Sequence, residues 1–248
     1  MSMNTGDTTV IRRPTFLPGG RTVAAERGWA WIAEGWNLFK QAPGLWIGMI
    51  VVLAVILIVL GIIPVAGAIA TIILQPVLGA GLVIASAKLD QGETPQFSDL
   101  FAGFQTQFGR LAALGGLYLA GSAVIFLGFV LIGGAGALSM AHSGEASPAA
   151  VTAFLLALLV ALALLVPLMM AFWFAVPLTL FHDQGALGAI KGSFGGCLRN
   201  ILPFLVYGVI GMLLAILASV PLGLGWLVLG PVLAASVYTG YKDIYLSS

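Results

Sequence analysis

Few side chains in this chain could do chemistry. Its 248 residues include ten Lys and Arg, nine Asp and Glu, two His and one Cys. A metal centre or haem clamp needs ligands that meet. His142 lies in a connection between apolar stretches and His182 at the far end of the next one. About 30 Å of hydrocarbon would separate them, so no metal site or cofactor is expected. Nucleophile patterns fail too. Lys191-Gly192-Ser193-Phe194-Gly195 lacks the leading glycine of a nucleophile elbow. Gly188 to Ser193 places its lysine before the glycine, against the order a phosphate-binding loop requires. His142-Ser143-Gly144-Glu145 puts suggestive groups in a loop that nothing preorganises. The expectation is a protein that is not an enzyme.

The bases remain. Arg27, Lys40, Lys88, Arg110, Lys191 and Arg199 border apolar stretches. Near an anionic leaflet each such charge contributes about 1 kcal/mol. They are candidates for lipid phosphate, with Lys40, Arg110 and Arg199 foremost because they hold matching places in a repeat described below.

The elements that position these bases follow from composition. Apolar residues make up 60% of the chain and charged residues 8%, whereas a soluble domain carries roughly 25% charge. No charge falls between Lys40 and Lys88, or between Arg199 and Lys242. Each interval holds two spans of about 20 residues, with turns at Pro64/Gly67 and at Pro221/Gly223/Gly225. The stretch from Leu111 to His182 holds one acid, Glu145, and a polar loop from Ser139 to Pro148. Six spans result, at 45–63, 67–87, 111–132, 151–177, 202–220 and 224–241. All ten Lys and Arg fall in the tails or in the second-to-third and fourth-to-fifth connections. By the positive-inside rule both termini are then cytoplasmic. Arg12-Arg13 does not open an export signal, because no apolar core follows. Residues 1–20 are expected as a flexible tail and 21–248 as a single membrane domain.

Three segments before odd-numbered spans match: Gly35-Trp36-Asn37-Leu38-Phe39-Lys40, Gly103-Phe104 to Phe108-Gly109-Arg110, and Ser193-Phe194 to Leu198-Arg199. Even-numbered spans share Gln75-Pro76-Val77-Leu78, Val176-Pro177-Leu178 and Gly230-Pro231-Val232-Leu233. The chain thus reads as three units (23–90, 97–183, 186–245), each an interfacial amphipathic helix followed by a hairpin. Parallel units of this kind predict a pseudo-threefold axis along the membrane normal. In the first interfacial helix Trp29, Ile32, Trp36 and Phe39 form an aromatic face. Phe97, Leu100, Phe101, Phe104 and Phe108 repeat it. In the third, Gly188, Gly192 and Gly196 make a small-residue stripe for close approach of a neighbouring helix. Pro76, Pro177 and Pro231 are expected to break their helices.

Two stretches carry a resemblance: Gly28-Trp29-Ala30-Trp31 with Gly35-Trp36-Asn37-Leu38-Phe39 and Pro43, and Pro231 with Ser236 through Tyr245. The chain resembles an uncharacterised family of bacterial inner-membrane proteins. More distantly it is similar to the six-span membrane region joined to some glycerophosphodiester phosphodiesterases, whose catalytic barrel has no counterpart here. The resemblance implies a bacterial inner membrane and no established activity.

No Asp, Glu, Lys, Arg or His lies in the apolar middle of a span, which argues against ion-coupled transport. The expectation is a non-enzymatic scaffold or accessory subunit that contacts anionic lipids and a membrane protein partner or a second copy, with no nucleic acid. The alternative is a permease or channel for a lipid or small neutral solute, whose path would be lined by Thr71, Ser122, Thr179 or Ser219.

Overall fold

A computed structural model describes residues 15–143 and 147–247. Arg12, Arg13 and Glu145 lie outside the described residues, as does the side chain of His142.

Helix forms wherever long apolar runs must satisfy their own backbone. The first, α1 (Arg27–Gln41), ends at Ala42, and Pro43 opens α2 (Pro43–Gly61) at its first position, where a missing amide costs nothing. A turn through Pro64 leads to α3 (Ala66–Asp90). A 3-10 turn (Phe97–Phe101) follows, capped by Gln96 and Asp99, and runs into α4 (Ala102–Thr106). Then come α5 (Phe108–Ser143) and α6 (Pro148–Trp173), the latter capped by the Ser147 hydroxyl accepting from the Ala150 amide. The chain closes with α7 (Ala175–His182), α8 (Ala186–Arg199), α9 (Ile201–Ser219) and α10 (Trp226–Tyr245).

Among the described residues five helical stretches are long and apolar enough to cross a membrane: Pro43–Gly61, Ala66–Asp90, Phe108–Gly134, Pro148–His182 and Ile201–Ser219. They match five of the six expected spans. The sixth, α10, carries Tyr238, Thr239, Tyr241, Lys242 and Asp243 in its last turns and falls below that hydropathy. Its surroundings explain this. Eleven of its residues are buried, from Leu229 to Tyr245, so its polar groups meet protein. The outer helices are the reverse. Ile58 is 66% exposed, Val124 72%, Leu159 64% and Leu217 66%. Faces so apolar need hydrocarbon rather than water around them.

Several expectations are corrected. The Ser139–Pro148 loop is shorter, because α5 continues to Ser143. Pro76 and Pro231 lie inside unbroken helices; each ring removes one rung, and the flanking rungs hold. Pro177 does break its helix, at Phe174 between α6 and α7. There a side chain from another helix takes the place of the missing rung. The Ser193 hydroxyl of α8 donates to Met170 O at 2.7 Å and accepts from Phe174 N at 2.9 Å. That is an insertion into the i to i−4 ladder. Ser193 is fully buried, so Ser193→Ala takes the donor from Met170 O and leaves Phe174 N only the Phe172 carbonyl. A loss of about 1–2 kcal/mol is expected in reversible unfolding, against about 0.5 kcal/mol or less for Ser219→Ala, whose hydrogen bonds are exposed.

The faces of α1 also differ from expectation. Trp29 and Trp36 point outward at 51% and 43% exposure, whereas Ile32 and Phe39 are buried together with Gly28, Trp31, Gly35 and Leu38. Glycines 28 and 35 decide this. Gly28 sits against the backbone of Pro203 and Tyr207 in α9, and Gly35 against Val232 O and Ser236 in α10. Seven residues apart, they turn one stripe of α1 into a surface that backbones can reach. The other two small residues heading the matching segments make related contacts. Gly103 sits against Val77 O in α3, and Ser193 is bonded to α6. Val77 and Val232 each directly follow a proline.

Candidate functional site

The bases gather where the chain ends meet. Residues 15–20, grouped with the tail on sequence grounds, are hydrogen-bonded to the C-terminus. Phe16 pairs with Leu246, Leu17 N donates to Tyr245 O and Arg21 N to Ile244 O. Beneath this strap lies Asp243, its side chain 9% exposed. One oxygen accepts from Arg27 Nε at 2.5 Å and from Trp31 Nε1 at 2.9 Å, the other from Arg21 at 2.9 Å. Burial alone would raise the carboxyl pKa. The hydrogen bonds from Trp31, Arg27 and Arg21 outweigh it and hold the group below its ordinary value. The pairs of Arg21 and Arg27 with Asp243 tie the strap and α1 to α10, and Arg27 also reaches Glu34 within α1 at 2.9 Å.

Three further bases are used within the chain. Lys88 meets both oxygens of Asp99, at 2.8 and 2.9 Å, and so fastens the 3-10 turn to α3. Arg110 donates to the backbone and carboxylate of Asp183 at 3.0 and 2.8 Å. Arg199 donates to the carbonyls of Gly19 and Gly20, while its neighbour Asn200 bonds Arg21 O and Val23 N. Lys40 and Lys191 are exposed and make no hydrogen bond or ion pair among the described residues. Of the six candidates, then, Arg27, Lys88, Arg110 and Arg199 bind protein, and Lys40 and Lys191 remain available to something else.

The glycine stripe of α8 works differently from the expected helix contact. Gly196 makes room for the Tyr245 hydroxyl, which donates to Gly192 O at 2.8 Å. A Cβ at Gly188 would approach only Gln184. Thus Gly196 makes room for the tyrosine side chain, while Gly192 accepts its hydroxyl through the backbone carbonyl. Nearby Cys197 is buried. Burial pushes its thiol up to about 12, against a smaller opposing effect of a Ser193 hydrogen bond. The thiolate is the reactive form. Native Cys197 is therefore expected to resist N-ethylmaleimide at pH 8 and to label after denaturation, as mass spectrometry would show.

Sequence reasoning missed Asp243, Trp31, Asn200 and the strap. The partners of Asp243 lie more than 200 positions away, and its adjacent base, Lys242, instead pairs with Asp90 at 2.6 Å. His182 does not pair with Asp183 through its ring. Its Nε2 lies 2.5 Å from Tyr241 Oη, and Phe16 stacks on it. Among the described residues no group of three His, Cys, Asp or Glu could hold a metal ion.

Two cavities flank α10. One, of about 400 Å³, lies between α3, α5, α6 and α10, with Gln75, Tyr118, Phe172 and Trp173 in its wall. The other, of about 450 Å³, lies against α9, with Tyr207, Gly208 and Gly211. Trp173, Ala234 and Val237 border both. Thr71, Ser122, Thr179 and Ser219 line neither. Thr179 is fully buried, and Ser219 bonds Ala215 O and the Trp226 indole.

An all-helical bundle with hydrocarbon-facing outer helices and a basic, strapped end defines a polytopic membrane protein. The comparisons make the class narrower. Over 230 residues the chain is 31% identical to a "probable inner membrane protein" of Burkholderia thailandensis, covering 87% of this chain and 82% of that one. The chain belongs to this family of bacterial inner-membrane proteins. No family model and no solved structure matches it.

Proposed function

We propose that the protein is a non-enzymatic scaffold or accessory subunit of the inner membrane that holds anionic lipid at its basic end and presents its outer helices to a membrane protein partner or a second copy. The observation that carries this reading is the pair of unpartnered lysines. Lys40 ends α1 beside the outward Trp36. Lys191 lies on α8 among the exposed Leu187, Phe194 and Leu198. A base without a protein partner, set in an apolar and aromatic face, suits a lipid phosphate above buried chains.

The topology belongs to the same proposal. α10 is the sixth span, both termini are cytoplasmic, and three units turn about a pseudo-threefold axis. Support comes from the contacts of Gly35, Gly103 and Ser193. The interfacial helix of unit two packs on the second span of unit one, that of unit three on unit two, and α1 on unit three. A ring closed by like contacts is what parallel repeats produce. The likeness to the phosphodiesterase membrane region is then one of membrane architecture, without its chemistry. The permease reading would draw on the two cavities, though none of its four expected hydroxyls lines them.

Native mass spectrometry of mildly extracted protein tests the lipid reading. Phosphatidylglycerol or cardiolipin should be retained. Lys40→Ala and Lys191→Ala should each weaken retention about fivefold, since each charge is worth about 1 kcal/mol. Arg110→Ala should leave retention unchanged. Equal retention by all variants would end the proposal, and a stoichiometric co-purifying polypeptide would identify the partner.

A further inference from the structure

The cavity between α3, α5, α6 and α10 pairs an apolar wall with two unused polar groups. Gln75 is the one carboxamide within any span. It sits directly before Pro76, well inside α3, where a polar group is costly unless bonded. Neither the Gln75 amide nor the Tyr118 hydroxyl has a hydrogen-bond partner among the described residues, and both line this cavity. The remaining wall is aliphatic and aromatic. Tyr118 meets Phe172 edge-on at 5.1 Å between ring centroids, and Trp173 forms the partition towards the second cavity. No charged residue lines it.

These features restrict the occupant. An apolar approach through hydrocarbon demands a membrane-soluble molecule. A wall without charge excludes carboxylate and phosphate heads, and with them fatty acids and lysophospholipids. A carboxamide N–H and a phenol O–H can both donate, so a molecule with two acceptor oxygens engages both at once. Flat rings of Phe172 and Trp173 favour a flat head. About 400 Å³ admits one ring and part of one tail rather than two acyl chains. We infer that this cavity binds the head of an isoprenoid quinone, with Gln75 and Tyr118 donating to its carbonyl oxygens and the tail leaving between the helices. The site binds; no electron transfer is assigned to it.

The test is titration of decylubiquinone into the detergent-solubilised full chain, read by quenching of tryptophan fluorescence. Saturable quenching is expected. Trp173→Phe, which removes the indole bordering the cavity, should cut its amplitude. Gln75→Leu and Tyr118→Phe should each weaken binding about fivefold to tenfold, the loss of one hydrogen bond, while melting like the wild type. Gln75→Leu places a hydrophobic, helix-favouring residue in α3 and is the variant surest to fold. Quenching that rises linearly, or that in folded Gln75→Leu and Tyr118→Phe equals the wild type, reports partition into the micelle and overturns the proposal. Displacement by an equal concentration of dioleoylglycerol overturns it in favour of a neutral glycerolipid.

Discussion

Asp243→Ala is expected to unfold the chain more easily by about 2–3 kcal/mol, measured by reversible denaturation in mixed micelles. Removing one member of a buried, bonded charge group leaves the others without an acceptor, at a typical loss of 3–5 kcal/mol. Arg21 and Arg27 are 39% and 34% exposed and recover part of this by hydration, which places the estimate below that range. The Trp31 indole, 1% exposed, has no such recourse. Asp90→Ala removes an acceptor for Lys242 and Tyr238 at a more open position and should lose about 1 kcal/mol or less. The pH dependence follows in sign. The folded carboxyl sits below its ordinary value of 3.8. Its contribution is therefore complete above that value and is lost only as pH falls through the lower folded pKa. The difference between wild type and Asp243→Asn should stay constant from neutral pH to about pH 5 and shrink only in stronger acid. Equal losses for Asp243→Ala and Asp90→Ala would show that the strap, rather than the carboxylate, holds this end.

How legible this was from sequence depends on the range of each signal. Spans were legible because hydrocarbon excludes charge, and exclusion is a local property of composition. The five helices long and apolar enough to cross a membrane fall in such charge-poor intervals, and α10 falls below their hydropathy. Charge pairing was not legible. Lys242 and Asp243 are neighbours in sequence, but helical geometry directs them to different partners, Asp90 and the α1 arginines. The four bases spent on protein partners looked the same in sequence as Lys40 and Lys191, since a base at a span's edge reads identically whether it meets lipid or carboxylate. In α1 the expected face is split, with Trp29 and Trp36 outward and Ile32 and Phe39 buried, because the residues with no side chain set the packing. Gln75 was visible before the proline that the even-numbered spans share, but only the fold shows that its amide lacks a partner among the described residues.

That glycine argument yields the second large effect. A Cβ at Gly35 would lie 2.6 Å from Val232 O and 3.0 Å from Ser236 N. Both are backbone atoms of a helix buried along most of its length, so neither can swing aside as a side chain would. Gly35→Val must therefore push α1 off α10. The move would also pull at the Thr239 hydroxyl, which donates to Trp31 O at 2.9 Å, and at the Arg27–Asp243 contact. Overpacking against side chains alone costs about 1–3 kcal/mol, and valine recovers only a few tenths through its better helix propensity. A net loss of about 3 kcal/mol is expected, with a shift in Trp31 emission as the indole leaves its buried site. Gly128→Ala in α5 is the control, because a Cβ there meets nothing within 4 Å. It should be neutral or stabilising by up to about 1 kcal/mol. Opposite signs at two helical glycines separate packing from propensity. If Gly35→Val is as stable as Gly128→Ala, α1 is not seated on α10, and the ring of three units does not close there.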